Sequence, residues 1–567
     1  MEDSIYKIKI GGAAGQGIKY SGLILAKLAT RLGYNIYNYV EYPSLIRGGH
    51  NVVQVSISKE PVFAPSQNSD FLIALNSDAI EKHQDELSED SYIIFDNKNK
   101  VNIVKGKAIP IPLSKIAISA GGEILINSVA LGATIALLSG DIELFKDLIE
   151  EEFLDKDKKI RESNKKAAQL GFNYAFEKFK DKIKKVLIKN NNAQVKMVVD
   201  GTDAISLGAI AAGLQFATIY PMSPIANILH TLALYQRKYK YIFEQPEDEI
   251  SAINMAIGAS FAGARSMTAT SGGGFCLMTE GFGLAGMTET PLVVIEGMRP
   301  GPATGLPTWS GQGDLQFVLN AHQGDFVRIV LAAGDAKEAF ELTMTAFNLA
   351  DKYQTPVVLL IDKNICEHAQ SFPFFNISKY KMDKGKITTE FSPKYQRYKD
   401  ESDGVSRRTL PGLGNFFIAN SYEHDTEGFT TEKKGEIKEQ MEKRMRKLKT
   451  LESEMPDPLL FGPEDADITL VSFGSNKGSI LGALKLFNNV NFLHLNWLNP
   501  FPKDAVSKRL EKSRHIVDIE CNYTGQLAKL IRTETGIEIN DKFLKYDGRP
   551  FFKEEIVEKI NSVLKKS

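Results

Sequence analysis

Short runs rich in β-branched and aromatic residues alternate with longer helical stretches in three separate blocks of this chain, and that alternation leaves few folds open. In the first block, strand-like runs at 5–10, 52–58, 71–75 and 92–96 alternate with helical stretches at 18–32 and 128–138, the pattern of a mostly parallel sheet. Residues 141–189 turn Lys/Glu/Asp-rich and helical, and a polar Lys-Asn-Asn-Asn-Ala tract places a boundary near 190–196. The second block has strand-like runs at 196–199, 218–220, 267–269, 292–296 and 357–361; the third, from about 461, has them at 468–473, 492–495 and 515–519. The expected fold class is therefore α/β throughout, with domains at 1–192, 193–374 and 461–567 and a connecting segment at 375–460. No repeat of 20–50 residues is present, which removes solenoids and propellers.

Two helices stand out. Residues 246–264 open on Pro246, which suits a first helical position, and carry Ala252, Ala256, Ala259 and Gly263 at close-packing intervals. Residues 431–454 mix Lys and Glu so densely that a solvated helix is expected.

Composition narrows the function. With 567 residues and 69 basic against 70 acidic side chains, the formal charge is −1, so no bulk basic field exists to hold nucleic acid. No apolar run approaches the roughly 20 residues that span a bilayer, and residues 1–6 run straight into a strand without a leader, so no membrane partner and a cytoplasmic location are expected. Cys276, Cys366 and Cys521 are too few and too scattered for a disulfide framework, a zinc site or a four-cysteine iron–sulfur cluster. No metal site is expected on this chain, and any redox centre has to come from another one.

The segment Gly11-Gly12-Ala13-Ala14-Gly15-Gln16-Gly17 joins a strand to a helix. It matches neither GxGxxG nor the Walker pattern, and both a phosphate or coenzyme contact through Gly12, Gly15 and Gly17 and a tight turn that merely needs glycine stay open. Asp200-Gly201 with Asn227 lacks the first glycine and the second asparagine of a diphosphate–magnesium motif. Of the acids Glu247, Asp248 and Glu249, ordinary company for a helix N-terminus, Glu249 precedes the small-residue face and is the one expected to be buried. Three loops follow predicted strands: Tyr220-Pro221-Met222-Ser223-Pro224, Thr270-Ser271-Gly272-Gly273-Gly274, and the stretch from Glu296 to Thr308. Open α/β sheets bind ligands at such strand ends, and Arg299 offers a planar fork for a carboxylate there.

Taken in order, Tyr220-Pro221-Met222-Ser223-Pro224, Glu247-Asp248-Glu249 with Ala252-Ile253-Asn254, Thr268-Ala269-Thr270-Ser271-Gly272 and Thr304-Gly305-Leu306-Pro307-Thr308 resemble the α subunit of 2-oxoacid:ferredoxin oxidoreductases. The Gly11–Gly17 loop and Arg47-Gly48-Gly49-His50 resemble the γ domain fused ahead of it in two-subunit members; Asn522-Tyr523-Thr524-Gly525-Gln526-Leu527 and Gly548-Arg549-Pro550-Phe551 resemble its C-terminal domain. The resemblance implies a γ domain, a thiamine-diphosphate pyrimidine-binding domain and a transketolase C-terminal-like domain.

It also implies oxidative decarboxylation of a 2-oxoacid, 2-oxoglutarate or pyruvate, on thiamine diphosphate, with CoA as acyl acceptor and ferredoxin as electron acceptor. A β subunit is expected to carry magnesium and the [4Fe–4S] cluster in an αβ or α2β2 assembly. Glu249 falls where the family hydrogen-bonds the aminopyrimidine ring, Tyr220 and Pro221 on the thiamine side, and Ser223, Arg299 and Thr308 where it recognises substrate. Ser223 replaces a threonine and Gly273 a proline of the family pattern; neither change removes a required group. A non-catalytic scaffold subunit is the alternative, and retention of Glu249, Arg299 and Thr308 together argues against it.

Overall fold

The computed structural model describes residues 5–45, 48–99, 101–191 and 193–565; Arg47 of the Arg-Gly-Gly-His motif lies outside them. The chain divides into two compact units, one of residues 1–200, 367–375 and 552–567, the other of 201–366 and 376–551.

The first unit is built on an eight-stranded sheet. Strand Tyr6–Ala13 pairs in parallel with Ser69–Ala74, which continues in parallel to Leu87–Asp96 and Lys107–Ile111. On its other side the pairing turns antiparallel, through His50–Ser58 and Asn35–Glu41 to Ala369–Phe372 and Met197–Val199. The sheet is therefore mixed rather than mostly parallel. The run at 196–199, read as a strand of the second block, completes this sheet instead, because strand Ala369–Phe372 returns to pair with it. Helix Ile18–Arg31 buries Ile18, Ile24, Leu25 and Leu28. Helix Ile126–Leu137 is buried along its whole length and meets the small face of helix Lys158–Lys178. A Cβ on Gly132 would collide with the Ala168 carbonyl and one on Gly171 with that of Val129, so glycine sets this helix spacing. Among the described residues no single helix is long and apolar enough to cross a membrane.

The second unit has two sheets over a shared apolar core. In the seven-stranded sheet Ile242–Glu244, Phe216–Ile219, Ser266–Thr270, Leu292–Met298, Pro356–Asp362 and Ile329–Ala332 run parallel in that spatial order, with the antiparallel Trp497–Asn499 at the edge. Central strands such as Leu292–Met298, buried at every position, are the continuous apolar runs that a sheet covered on both faces requires. The five-stranded sheet of residues 459–544 is parallel except at its edge strand Leu459–Phe461.

Between the sheets' sequences, residues 376–433 form loops fastened by buried charge. Arg265 Nε donates to Asp351 Oδ2 at 2.7 Å and Arg408 Nη2 to Oδ1 at 3.2 Å, while Arg265 Nη2 reaches the Asp383 carbonyl at 2.9 Å. Helix Lys434–Glu452 is not the solvated helix its charge density implied. One face, Gln440, Lys443, Arg444, Lys447 and Leu451, is buried, and Lys443 and Lys447 each reach Glu289 at 2.5 Å. The opposite face carries the surplus charge, so composition alone concealed the seam.

Candidate functional site

Helix Glu249–Phe261 begins later than Pro246 suggested. Asp248 is extended and caps it, accepting from Ser251 N at 2.7 Å; the capping carboxylate satisfies an otherwise orphaned N–H and outranks proline as the start signal. Glu249 thus becomes the first helical residue and is 3% exposed, buried as expected. Its carboxylate fills the space over Gly274: a Cβ there would come within 2.6 Å of Oε1 and would collide with Thr270 Oγ1. Gly274, expected in a loop, lies instead in the first turn of helix Gly272–Met287 and is a cradle for this acid.

Strand Phe216–Ile219 ends at half-buried Tyr220 and exposed Pro221. Arg299, just beyond strand Leu292–Met298, donates from Nη1 to the Ser223 carbonyl at 2.7 Å, which ties together the loops after the two strands that flank Ser266–Thr270 in one parallel sheet. A Cβ on Gly297 would meet Ile225 at 2.5 Å, so the strand passes tightly beneath the Ser223–Ile225 turn. Burial pulls the Arg299 guanidinium down from its ordinary value, and Asp314 and Glu296 oppose that shift.

Thr308 is 5% exposed and its hydroxyl has no partner; Ser271 Oγ, before helix Gly272–Met287, is likewise buried and unpaired. Buried hydroxyls are rarely left so, because desolvation without a hydrogen bond costs about 1–3 kcal/mol.

The C-terminal motifs hold the loop that carries Thr308. Asn522 Nδ2 donates to the Gln312 carbonyl at 3.0 Å and Gln526 Nε2 to that of Gly313 at 2.6 Å. Ser310 N reaches the Gly548 carbonyl at 2.9 Å, and the Arg549 guanidinium stacks 3.9 Å from the Trp309 ring centroid. In the sequence these motifs mark a domain; the structure adds that they brace the loop that carries Thr308. Glu296, expected as the first residue of the third loop, lies inside strand Leu292–Met298 instead; it is 0% exposed, among the described residues neither of its oxygens receives a hydrogen bond, and neither it nor Asp314 was a site candidate from the sequence.

In the first unit the three glycines of the Gly11–Gly17 segment part company. Gly12 is a strand residue covered by the Gln16 side chain, whose Oε1 accepts from Ala13 N at 2.7 Å. Gly15 and Gly17 have φ of 90° and 71°, values that favour glycine, and Gly17 caps helix Ile18–Arg31. Only Gly15 of the three lines a cavity of about 490 Å³, at the ends of parallel strands Tyr6–Ala13, Ser69–Ala74 and Leu87–Asp96, together with Asn76, Asp96, Lys98 and Glu123. Nearby, His83 Nδ1 meets Glu86 at 2.9 Å and its Nε2 meets that of His50 at 2.7 Å; burial and His83 hold the His50 imidazole down at about 4. Among the described residues, no group of three or more His, Cys, Asp or Glu could hold a metal ion.

Comparison with known proteins agrees with this arrangement. The family described as pyruvate ferredoxin/flavodoxin oxidoreductase matches residues 7–174, and that described as pyruvate flavodoxin/ferredoxin oxidoreductase, thiamine diP-bdg, matches 207–446. The 2-oxoacid:ferredoxin oxidoreductase subunit alpha of Saccharolobus solfataricus is 32% identical over 98% of this chain and 97% of its own. The 2-oxoglutarate synthase subunit KorA of Methanothermobacter marburgensis is 32% identical, over 64% of this chain and 97% of its own. A solved 2-oxoglutarate:ferredoxin oxidoreductase from Magnetococcus marinus, with 2-oxoglutarate, coenzyme A and succinyl-CoA bound, superposes with a TM-score of 0.92 at 29% identity, over 99% of this chain and 100% of that one. The chain belongs to the 2-oxoacid:ferredoxin oxidoreductase family, as an α subunit.

Proposed function

We propose that this chain, with a β subunit, oxidatively decarboxylates a 2-oxoacid, 2-oxoglutarate or pyruvate, to an acyl-CoA and CO2 and passes two electrons to ferredoxin. The observation that carries the reading is a cradled acid at the start of a helix, with an anchored arginine and a buried unpaired hydroxyl on the loop that follows a strand of the parallel sheet. The M. marinus relative, solved with 2-oxoglutarate and CoA, supports the substrate class.

The residues present fit thiamine diphosphate on its pyrimidine side. Glu249, held over Gly274, would accept a hydrogen bond from the ring, and Tyr220 and Pro221, which follow strand Phe216–Ile219, would line the thiamine side. When bound, the cofactor supplies the carbon nucleophile for the 2-oxo group and holds the electron pair that decarboxylation releases. Glu249 then controls a proton at the ring, work that typically contributes about 10²–10⁴-fold to rate. Arg299 receives the substrate carboxylate; Ser223 positions Arg299 through its carbonyl, and Thr308 offers the substrate its hydroxyl.

The same reading divides the chain into a CoA-binding γ domain at 1–192, a pyrimidine-binding domain at 193–374, a connecting segment at 375–460 and a transketolase C-terminal-like domain at 461–567. Gly15 and the adjoining cavity are the CoA candidate, with Gly12 and Gly17 shaping the turn. Magnesium and the [4Fe–4S] cluster belong to the β subunit, in an αβ or α2β2 assembly. Cys276, Cys366 and Cys521, none of them in a disulfide among the described residues, suit the reducing cytoplasm, where we place the reaction.

Co-expression with the β subunit tests this. The complex should reduce viologen only with both a 2-oxoacid and CoA, and a substrate panel then ranks 2-oxoglutarate against pyruvate. A cluster-loaded complex that reduces viologen with no 2-oxoacid tested would overturn the proposal and favour a scaffold.

A further inference from the structure

Glu296 lies in strand Leu292–Met298 opposite Thr270 on one neighbouring strand and Leu360 on the other, and it is fully buried. Its carboxyl lies within hydrogen-bonding reach of the Asp314 carboxyl, and among the described residues no donor reaches either of its oxygens. Asp314 in turn covers the first residue of helix Gly272–Met287: a Cβ on Gly272 would meet Oδ2 at 2.6 Å and Oδ1 at 3.0 Å.

Two ionised carboxylates in contact inside a protein repel, and one without any donor cannot stay charged cheaply. The surroundings say which acid keeps a proton. Burial, followed by the Asp314 charge, pushes Glu296 well above the usual carboxylate range. Asp314 is also raised by burial, but Arg299 lowers it and the positive end of a 16-residue helix lies beside it. The other charged or titratable groups facing the pair are Cys276, on that helix, and Arg299, on the loop after the strand; the register neighbours Thr270 and Leu360 bring none.

We propose that Glu296 and Asp314 share a single proton and act as positioning residues for Arg299, holding the pair's charge to one negative so that the arginine can still receive a carboxylate. This rests on the reading of Arg299 as the substrate's anion receptor. With one shared proton, the pair's charge is balanced by the guanidinium. When that proton leaves, a second buried negative charge faces the incoming 2-oxoacid anion. Binding weakens as pH rises, while the chemical step, which runs on other groups, does not change.

The test is the pH dependence of KM for the 2-oxoacid in the reconstituted complex, for wild type, Glu296→Gln and Arg299→Ala. Wild type should show KM rising about tenfold along an alkaline limb at nearly constant kcat, a change of the size expected for one added charge near the site. Glu296→Gln keeps a donor for Asp314 and cannot ionise, so its KM should stay flat; a wild-type limb in this variant overturns the proposal. Arg299→Ala separates the two ideas. If it leaves KM at the wild-type value, the reading of Arg299 fails. If it raises KM at every pH while Glu296→Gln keeps the limb, only the shared proton fails. The wild-type chain supplies a readout that needs no variant: a protonated-carboxyl infrared band present at neutral pH and lost along the same limb, whose absence overturns the proposal.

Discussion

Glu249 and Thr308 differ in what their loss should reveal. Glu249→Gln keeps the shape of a buried side chain and removes its charge, so turnover of the complex should fall by about 10²–10⁴-fold with little change in melting temperature. Thr308→Val removes a hydroxyl that has no partner in the free chain. Stability should hold or rise by up to about 1 kcal/mol, and under the proposed role of this hydroxyl KM for the 2-oxoacid should increase. Glu296 makes a third case. Its raised pKa means that the folded chain keeps a proton which the unfolded chain has already lost, so this term costs nothing below the ordinary carboxylate range and reduces stability as pH rises above it. Glu296→Gln should therefore lose less melting temperature than wild type between acid and alkaline pH in a calorimetric series. Glu249, Ser223, Arg299 and Thr308 were all legible in the sequence, because polar residues in loops after apolar runs stand out. Glu296 was not, since one acid inside a buried strand looks like an interruption of it.

At the scale of single elements, local chemistry and burial compete. Asp248 caps the helix that presents Glu249, and Asp248→Ala should cost about 1 kcal/mol in denaturant unfolding and lower activity further by loosening the first turn. The helix Lys434–Glu452 shows where charge counting fails. Lys443 and Lys447 converge on the buried Glu289, whose carboxyl they and Arg397 hold well below the usual range, while burial lowers Lys443 to about 8. Glu289→Gln leaves two buried ammonium groups facing each other, and the chain should lose roughly 3–5 kcal/mol, read from the denaturation midpoint. A helix can be rich in charge and still be a seam, because only tertiary packing decides which ammonium groups face water.

For the whole molecule, strand-like runs were placed to within a few residues wherever they were continuously apolar, as at 292–296 against the observed Leu292–Met298. Strands Asn35–Glu41, Lys107–Ile111 and Ile329–Ala332 escaped because polar residues or short length broke the pattern. Residues 367–375 and 552–567 fold with the first 200, a return of the chain that no local pattern announces. The bracing of the 308–316 loop by Asn522, Gln526 and Arg549 is of the same kind.

What the sequence determined by itself was therefore the α/β class and the family, together with the candidate residues for the site, because periodicity, loop chemistry and ordered motifs are local. What only the tertiary structure decided was the mixed pairing of the first sheet, the buried face of a charged helix and the company Glu296 keeps. Each of these depends on residues far apart in the chain that share one place, where burial and proximity set charge in a way that no stretch of sequence records.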